Sequence, residues 1–343
     1  MTVQEKQAMT IKGFAALEKG QELSSFDIKA DPLGPWDVEL AITHCGICHS
    51  DIHLIDNDWG NAVFPLVPGH EIIGTVTEKG ELLNTLEIGQ RVGIGWQRSS
   101  CMSCEWCLQG EENLCFKQEA TCVGHPGGFA EKIRADGRFA FPIPDGLPSE
   151  EAAPLLCGGI TVFSPFIEHR VSATSRVGVI GIGGLGHFAL QFARAFGCEV
   201  TAFSHSKEKE AEAKALGAHH FIASDDEKSL EKAANSLDFI ISTVSKPLNW
   251  DAYLNVLRPK GVLCFVGIQE KPVALAPFSV VVGRKTVCGS NIGSRPDIKT
   301  MLRFASQHQI KAQVEVFPMQ DVNRAIERVR SGKVRYRAVL SRV

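Results

Sequence analysis

An apolar run, Val177-Gly-Val-Ile180, leads directly into Gly181-Ile-Gly183-Gly184-Leu185-Gly186 and then into an amphipathic segment ending near Phe196. Glycines at this spacing permit a tight turn, close approach of main chain to an anion and close packing of the next helix on the strand. The helix N-terminus then turns free N–H groups toward the anion. The G-x-G-x-x-G pattern alone is weak, but between a strand and a helix it predicts a dinucleotide pyrophosphate site. A glycine-rich turn of purely structural use is the alternative. Apolar segments at Val200 to Phe203, Asp238 to Thr243 and Gly261 to Gly267 alternate with charged helical ones such as Lys207 to Leu216. That rhythm predicts a doubly wound parallel sheet.

The end of the strand after the glycine turn selects the nucleotide, because an NAD site places an acid there to hold the ribose hydroxyls. This chain has Ser204 at that point, and Glu199 stands at the wrong end of the strand. Ser204, His205, Ser206, Lys207 and Lys209 offer hydroxyls and positive charge, which suits a 2′-phosphate and predicts NADP(H). The bland alternative is a solvated turn that starts a helix.

A length of 343 residues allows two domains. From about Met9 to Asp145 the text is strand-like, with β-branched runs at Asp37–Ile42 and Glu71–Val76 between Gly and Pro turns, so an all-β lobe is expected. A helix over Ile298 to Gln307 and a last strand over Arg335 to Ser341 follow, and pattern alone leaves their domain open. A net charge of −3 gathers neither nucleic acid nor anionic lipid. The stretch Met1–Lys19 carries scattered charges and lacks the apolar core of an export signal, so a cytoplasmic protein is expected. The most apolar stretch, Val177–Gly197, is too interrupted by glycines, His187 and Arg194 to span a bilayer.

Eleven cysteines, an odd and locally clustered number, argue for metal rather than disulfides. Cys101, Cys104, Cys107 and Cys115 have the spacing C-x2-C-x2-C-x7-C, which suits a closed, structural zinc; an iron–sulfur cluster or a redox switch is the alternative. A second, catalytic zinc needs an open coordination position. Its candidates are Cys45, Cys48, His70 and Cys157, and spacing does not choose between Cys45 and Cys48.

Gly46-Ile-Cys48-His-Ser-Asp51, Gly69-His70-Glu71, the four-cysteine lobe, Leu156-Cys157-Gly-Gly-Ile-Thr161 and the glycine turn occur in an order that resembles the zinc medium-chain alcohol dehydrogenases. Nearly end to end, the chain resembles their cinnamyl-alcohol-dehydrogenase branch, and within it the bacterial NADPH-dependent broad-range aldehyde reductases. The resemblance implies a GroES-like β catalytic domain, residues 1–152 and 292–343, with an inserted Rossmann domain, residues 153–291. It implies two zinc ions per chain, NADP(H), an alcohol or aldehyde substrate and a homodimer. The catalytic ligands are then Cys48, His70 and Cys157, with Cys45 a bystander. Asp51 orients the ligand histidine, Glu71 is the acid beside the metal, and Ser50 and His53 form a proton relay. His49 meets pyrophosphate, Thr161 meets the nicotinamide end, and Trp59, Trp96 and Ile292 line the substrate pocket. For Ser50, His53 and the tryptophans the plain alternatives are a turn hydroxyl, a surface imidazole and core packing. Two rival functions are a polyol or sugar dehydrogenase of the same fold and a non-catalytic zinc- and nucleotide-binding redox sensor.

Overall fold

The computed structural model describes residues 9–343; Met1 to Ala8, part of the stretch Met1–Lys19 in which no export signal is expected, lie outside the described residues. The chain divides into two compact units, one running up to Cys157 and resuming with Ser294–Val343, the other Gly158–Gly293. No described helix is long and apolar enough to cross a membrane.

The unit Gly158–Gly293 is built on a six-stranded sheet in which every pair is parallel. Its order is His220–Ala223, Glu199–Ser204, Arg176–Ile180, Leu237–Ser242, Leu257–Phe265 and Thr286–Gly289. In chain order this is 3-2-1-4-5-6, the doubly wound dinucleotide-binding arrangement, so the expected fold class holds. Strand order reverses between Arg176–Ile180 and Leu237–Ser242, and the glycine turn leaves the sheet at that point. Val177, Val179 and Ile180 are buried, as are Phe188, Leu190 and Phe192 of the helix Gly186–Ala195 that follows.

The other unit is organised by a seven-stranded sheet around the strand Asp37–Ile47. Glu71–Lys79, Lys132–Asp136 and Arg337–Ser341 all pair antiparallel with it. The C-terminal strand Arg337–Ser341 lies between Asp37–Ile47 and Val314–Pro318, which brings the end of the chain into the middle of a sheet begun by the first fifty residues. Leu40, Ile72, Val92, Phe129 and Leu340 belong to one buried cluster beneath it.

The expectation of an all-β lobe is corrected at one place that matters: residues His49–Ile55 form a helix. Cys48 is its N-cap, and the Asp51 carboxylate accepts the Cys48 N–H at 2.9 Å, satisfying a donor that a helix start leaves over. Ile52, Leu54 and Ile55 bury its inner face. The expected helix Lys207–Leu216 begins instead as a 3-10 turn, Lys207–Lys209, before the α-helix Glu210–Ala215.

Two glycines shape the approach to His70, Glu71 and Cys48. Gly69 has φ +102°, and a Cβ there would lie 2.6 Å from the Phe129 ring and 2.8 Å from Cys45 Sγ. At Gly46 a Cβ would fall 2.0 Å from a Glu71 carboxylate oxygen. Gly69→Ala combines an unfavourable φ with overpacking and is expected to cost about 2 kcal/mol or more, read as a lower urea midpoint. A midpoint equal to wild type would show that the turn before His70 does not require glycine.

Candidate active site

Cys48, His70 and Cys157 come from three separate segments and converge. Cys48 Sγ lies 3.9 Å from Cys157 Sγ, and His70 Nε2 lies 3.3 Å from the same sulfur. His70 and Glu71 are fully buried, Cys157 is nearly so, and Cys48 is half-buried. These separations suit one ion with Zn–S of about 2.3 Å and Zn–N of about 2.0 Å. Cys45 is fully buried, packs against Gly69 and Gly128, and stands outside the cluster of metal-competent atoms.

Asp51 organises the cluster. One carboxylate oxygen accepts the Cys48 N–H, and the other accepts the Gly69 N–H and His70 Nδ1, each at 2.9 Å. Nδ1 of His70 therefore faces Asp51 and Nε2 faces the sulfurs, the orientation in which a neutral imidazole ligates a metal. The Cys48 thiol is held well below its ordinary range, first by the hydrogen bond from Cys157 and also by His70. A ready thiolate is the form that ligates metal.

Glu71 groups with the same three ligands, close enough to donate a fourth oxygen. It pairs with the buried Arg337 guanidinium, while its Oε2 has no hydrogen-bond partner among the described residues. Burial pushes the Glu71 carboxyl up to about 7, against the pull of Arg337. Arg337 was invisible to sequence reading: it lies 266 positions from Glu71 in no motif.

Ser50 and His53 are one turn apart on the helix His49–Ile55 and so share a face. Ser50 Oγ is 3.7 Å from Cys48 Sγ. His53 is partly exposed, with Nδ1 2.7 Å from Asp58. His49 is exposed in the first turn of the same helix. Trp96 meets His70 edge-on with ring centroids 4.8 Å apart, Trp59 meets Trp96 at 6.2 Å, and His53 lies 5.2 Å from Trp59. The two tryptophans thus form an apolar wall beside the ligands. Ile292 and Thr161 are buried in the unit Gly158–Gly293, Thr161 on the helix Gly158–Glu168.

The second cluster, Cys101, Cys104, Cys107 and Cys115, brings its sulfurs together at 3.9 Å (Cys101–Cys107), 3.5 Å (Cys104–Cys107) and 3.6 Å (Cys115–Cys101). A tetrahedral Zn–S4 centre requires about 3.8 Å, so the loop is already shaped for the ion. The Ser103 main chain and hydroxyl pull the Cys101 thiol down to about 6. The buried Glu112 carboxylate ties this loop to Arg295, at the start of the helix Arg295–Gln307, at 2.7 Å. Sequence gave no sign of that anchor.

In the nucleotide-binding unit, Gly181 has φ +88°, and a Cβ on Gly186 would fall 1.8 Å from the Gly181 carbonyl oxygen, so both positions require glycine. A Cβ on Gly183 would meet nothing within 4 Å, so the turn leaves open space there. Gly184 and Leu185 complete the turn, and Thr243 Oγ1 donates to the Ile180 and Gly181 carbonyls and braces it. Ser204 is buried and its Oγ accepts the Ser206 N–H at 3.2 Å; His205 and Lys207 are exposed. Lys209 reaches back to donate to the Ile182 carbonyl at 2.8 Å, linking the segment after the strand Glu199–Ser204 to the glycine turn. Glu199 is engaged with His220 at 2.7 Å, at the opposite end of its strand.

Two families match the chain: an alcohol dehydrogenase GroES-like domain over residues 34–145 and a zinc-binding dehydrogenase over residues 184–307. An aldehyde reductase, AdhA, from Synechocystis is 47% identical over 331 residues, 96% of this chain and 98% of the relative. The cinnamyl alcohol dehydrogenase SbCAD4 from Sorghum bicolor superposes with a TM-score of 0.93 at 39% identity, covering 97% of this chain and 98% of that one. The CAD from Helicobacter pylori, complexed with NADP(H), gives 0.90 at 33% identity over 98% and 99%. A mannitol dehydrogenase from Petroselinum crispum is also similar, 42% identical over 93% of this chain and 97% of the relative.

Asp51→Asn keeps the shape of the side chain and removes the charge that fixes the His70 tautomer. Metal affinity at the Cys48, His70 and Cys157 site is expected to fall about 10- to 100-fold, measured by competition with a chelator. Unchanged affinity would remove Asp51 from its positioning role.

Proposed function

The chain belongs to the zinc-type medium-chain alcohol dehydrogenases, and on that premise we propose that it reduces aliphatic and aromatic aldehydes to primary alcohols with NADPH. The observation that carries the reading is the three-donor cluster Cys48, His70 and Cys157 with the Ser50 hydroxyl at its edge. When bound, zinc supplies Lewis acidity at the carbonyl oxygen and the nicotinamide supplies the hydride. Cys48, His70 and Cys157 hold the ion, and Asp51 keeps the imidazole in its ligating tautomer. Ser50 donates a proton to the substrate oxygen and His53, on the same helix face, returns one from solvent. Glu71, which groups with these three donors, would stand beside the ion as a further oxygen donor. Trp59 and Trp96 exclude water and favour apolar substrates; Ile292 is read as a substrate-pocket residue, His49 as a pyrophosphate contact and Thr161 as a contact of the nicotinamide end.

Two zinc ions per chain are proposed, the second held by Cys101, Cys104, Cys107 and Cys115, on the strength of the sulfur spacings. NADP(H) rather than NAD(H) is supported by Ser204, Ser206 and the cations Lys207 and Lys209, with Glu199 turned to His220. Eleven free cysteines favour a reducing compartment, consistent with the cytoplasm. A homodimer is proposed as well, since Phe278, Val281 and Val282 are exposed by 77%, 71% and 63% and offer apolar surface to a second copy.

The polyol reading has the mannitol dehydrogenase relative in its favour, and the tryptophan wall against it. A steady-state panel of aldehydes and polyols with each cofactor decides: the highest kcat/KM is expected for an apolar aldehyde with NADPH. A preference for NADH, or for a polyol, overturns the corresponding part of the proposal. Ser50→Ala is expected to lower kcat by on the order of 10²- to 10⁴-fold with zinc content intact. Full turnover in that variant would take the hydroxyl out of the relay.

A further inference from the structure

Six of the eleven cysteines are absorbed by the two clusters above, and two of the remaining five meet elsewhere. Cys264, on the strand Leu257–Phe265, and Cys288, on the edge strand Thr286–Gly289, are register partners in a parallel pair, so their side chains share one face of the sheet. On that face His169, directly after the helix Gly158–Glu168, points its Nε2 at Cys288 Sγ from 3.3 Å. The two sulfurs and the imidazole nitrogen all lie within 4.8 Å of one another.

We propose that His169, Cys264 and Cys288 form a third metal site, specific for a soft, thiophilic ion such as Zn²⁺. Two sulfurs and one nitrogen around zinc stand about 3.5–3.8 Å apart, so the ion enters with small side-chain adjustments. Two thiolates with an imidazole select zinc or its soft congeners over magnesium and calcium, which take oxygen ligands. Cys264 is fully buried while His169 and Cys288 are half-buried, which gives the ion a route from solvent to a donor fixed in the sheet. The Glu168 carboxylate adds negative charge near both thiols, a field that favours a cation. A tilted contact with Phe239, with ring centroids 5.7 Å apart, places the His169 ring against that strand. Three protein donors leave a fourth position for water or a small ligand. A bound ion would clasp the edge strand Thr286–Gly289 to the end of the helix Gly158–Glu168, within one unit of the fold and independently of the active-site cluster.

The test compares wild type with Cys288→Ser after loading with zinc alone and desalting. Mass spectrometry of the metal is expected to show the loss of one ion per chain in the variant, with aldehyde turnover retained. His169→Gln, at a half-exposed helix end, serves the same purpose if Cys288→Ser fails to fold. In wild type, added zinc is expected to slow alkylation of Cys288 by iodoacetamide, mapped on its peptide. Equal metal content in wild type and variant, alkylation indifferent to zinc, or a Cys264–Cys288 disulfide in the isolated protein would each overturn the site.

Discussion

A single buried carboxylate, that of Asp51, holds the catalytic half of the molecule in working order. Its two oxygens accept from the start of one helix, from the turn before the strand Glu71–Lys79, and from the imidazole that turn presents. Burying a carboxylate without donors would cost several kcal/mol, so these three N–H groups are what make the arrangement stable. In return the charge fixes the helix, the turn and the tautomer together. Gly69 and Gly46 are the steric counterpart, clearing room for Phe129 and for the Glu71 carboxylate.

The nucleotide half rests on a different economy of contacts. Its sheet is fully parallel, its strand order reverses beside the glycine turn, and Gly186 admits the helix so closely that no side chain fits. Thr243 from the neighbouring strand and Lys209 from the following turn both bond to main-chain carbonyls of that loop. The loop is thus rigid before any ligand arrives, which lowers the ordering cost of binding.

Much of this could be read from the chain, because the decisive signals are local. Strand, glycine turn and helix are contiguous, and four cysteines within fifteen residues need no distant partner. The helix His49–Ile55 was hidden because a β-rich context and a cysteine N-cap mask a seven-residue segment whose start is secured by Asp51. Pattern left Cys45 and Cys48 equivalent; in the fold one faces Cys157 and the other faces the core. Arg337 opposite Glu71, Glu112 opposite Arg295, and His169 beside Cys288 join residues more than a hundred positions apart. No periodicity encodes such pairs, since they follow from the way sheets are closed rather than from neighbouring residues.

The position of the strand Arg337–Ser341 bears on how the molecule is made. Synthesis runs from the N-terminus, so Asp37–Ile47 leaves the ribosome long before the neighbour that completes its hydrogen bonds. The nascent chain carries that strand with His44 to Ile47 unpaired on one side, and several reduced thiols, while the whole parallel sheet of the inserted unit emerges. Arg337, the counter-charge of Glu71, is translated only after the whole inserted unit. Emergence of the strand Arg337–Ser341, rather than assembly of the first lobe, is therefore the event that completes the sheet beside His44 to Ile47. A chain cut before Arg337 would keep an open sheet edge and a buried acid lacking its cation.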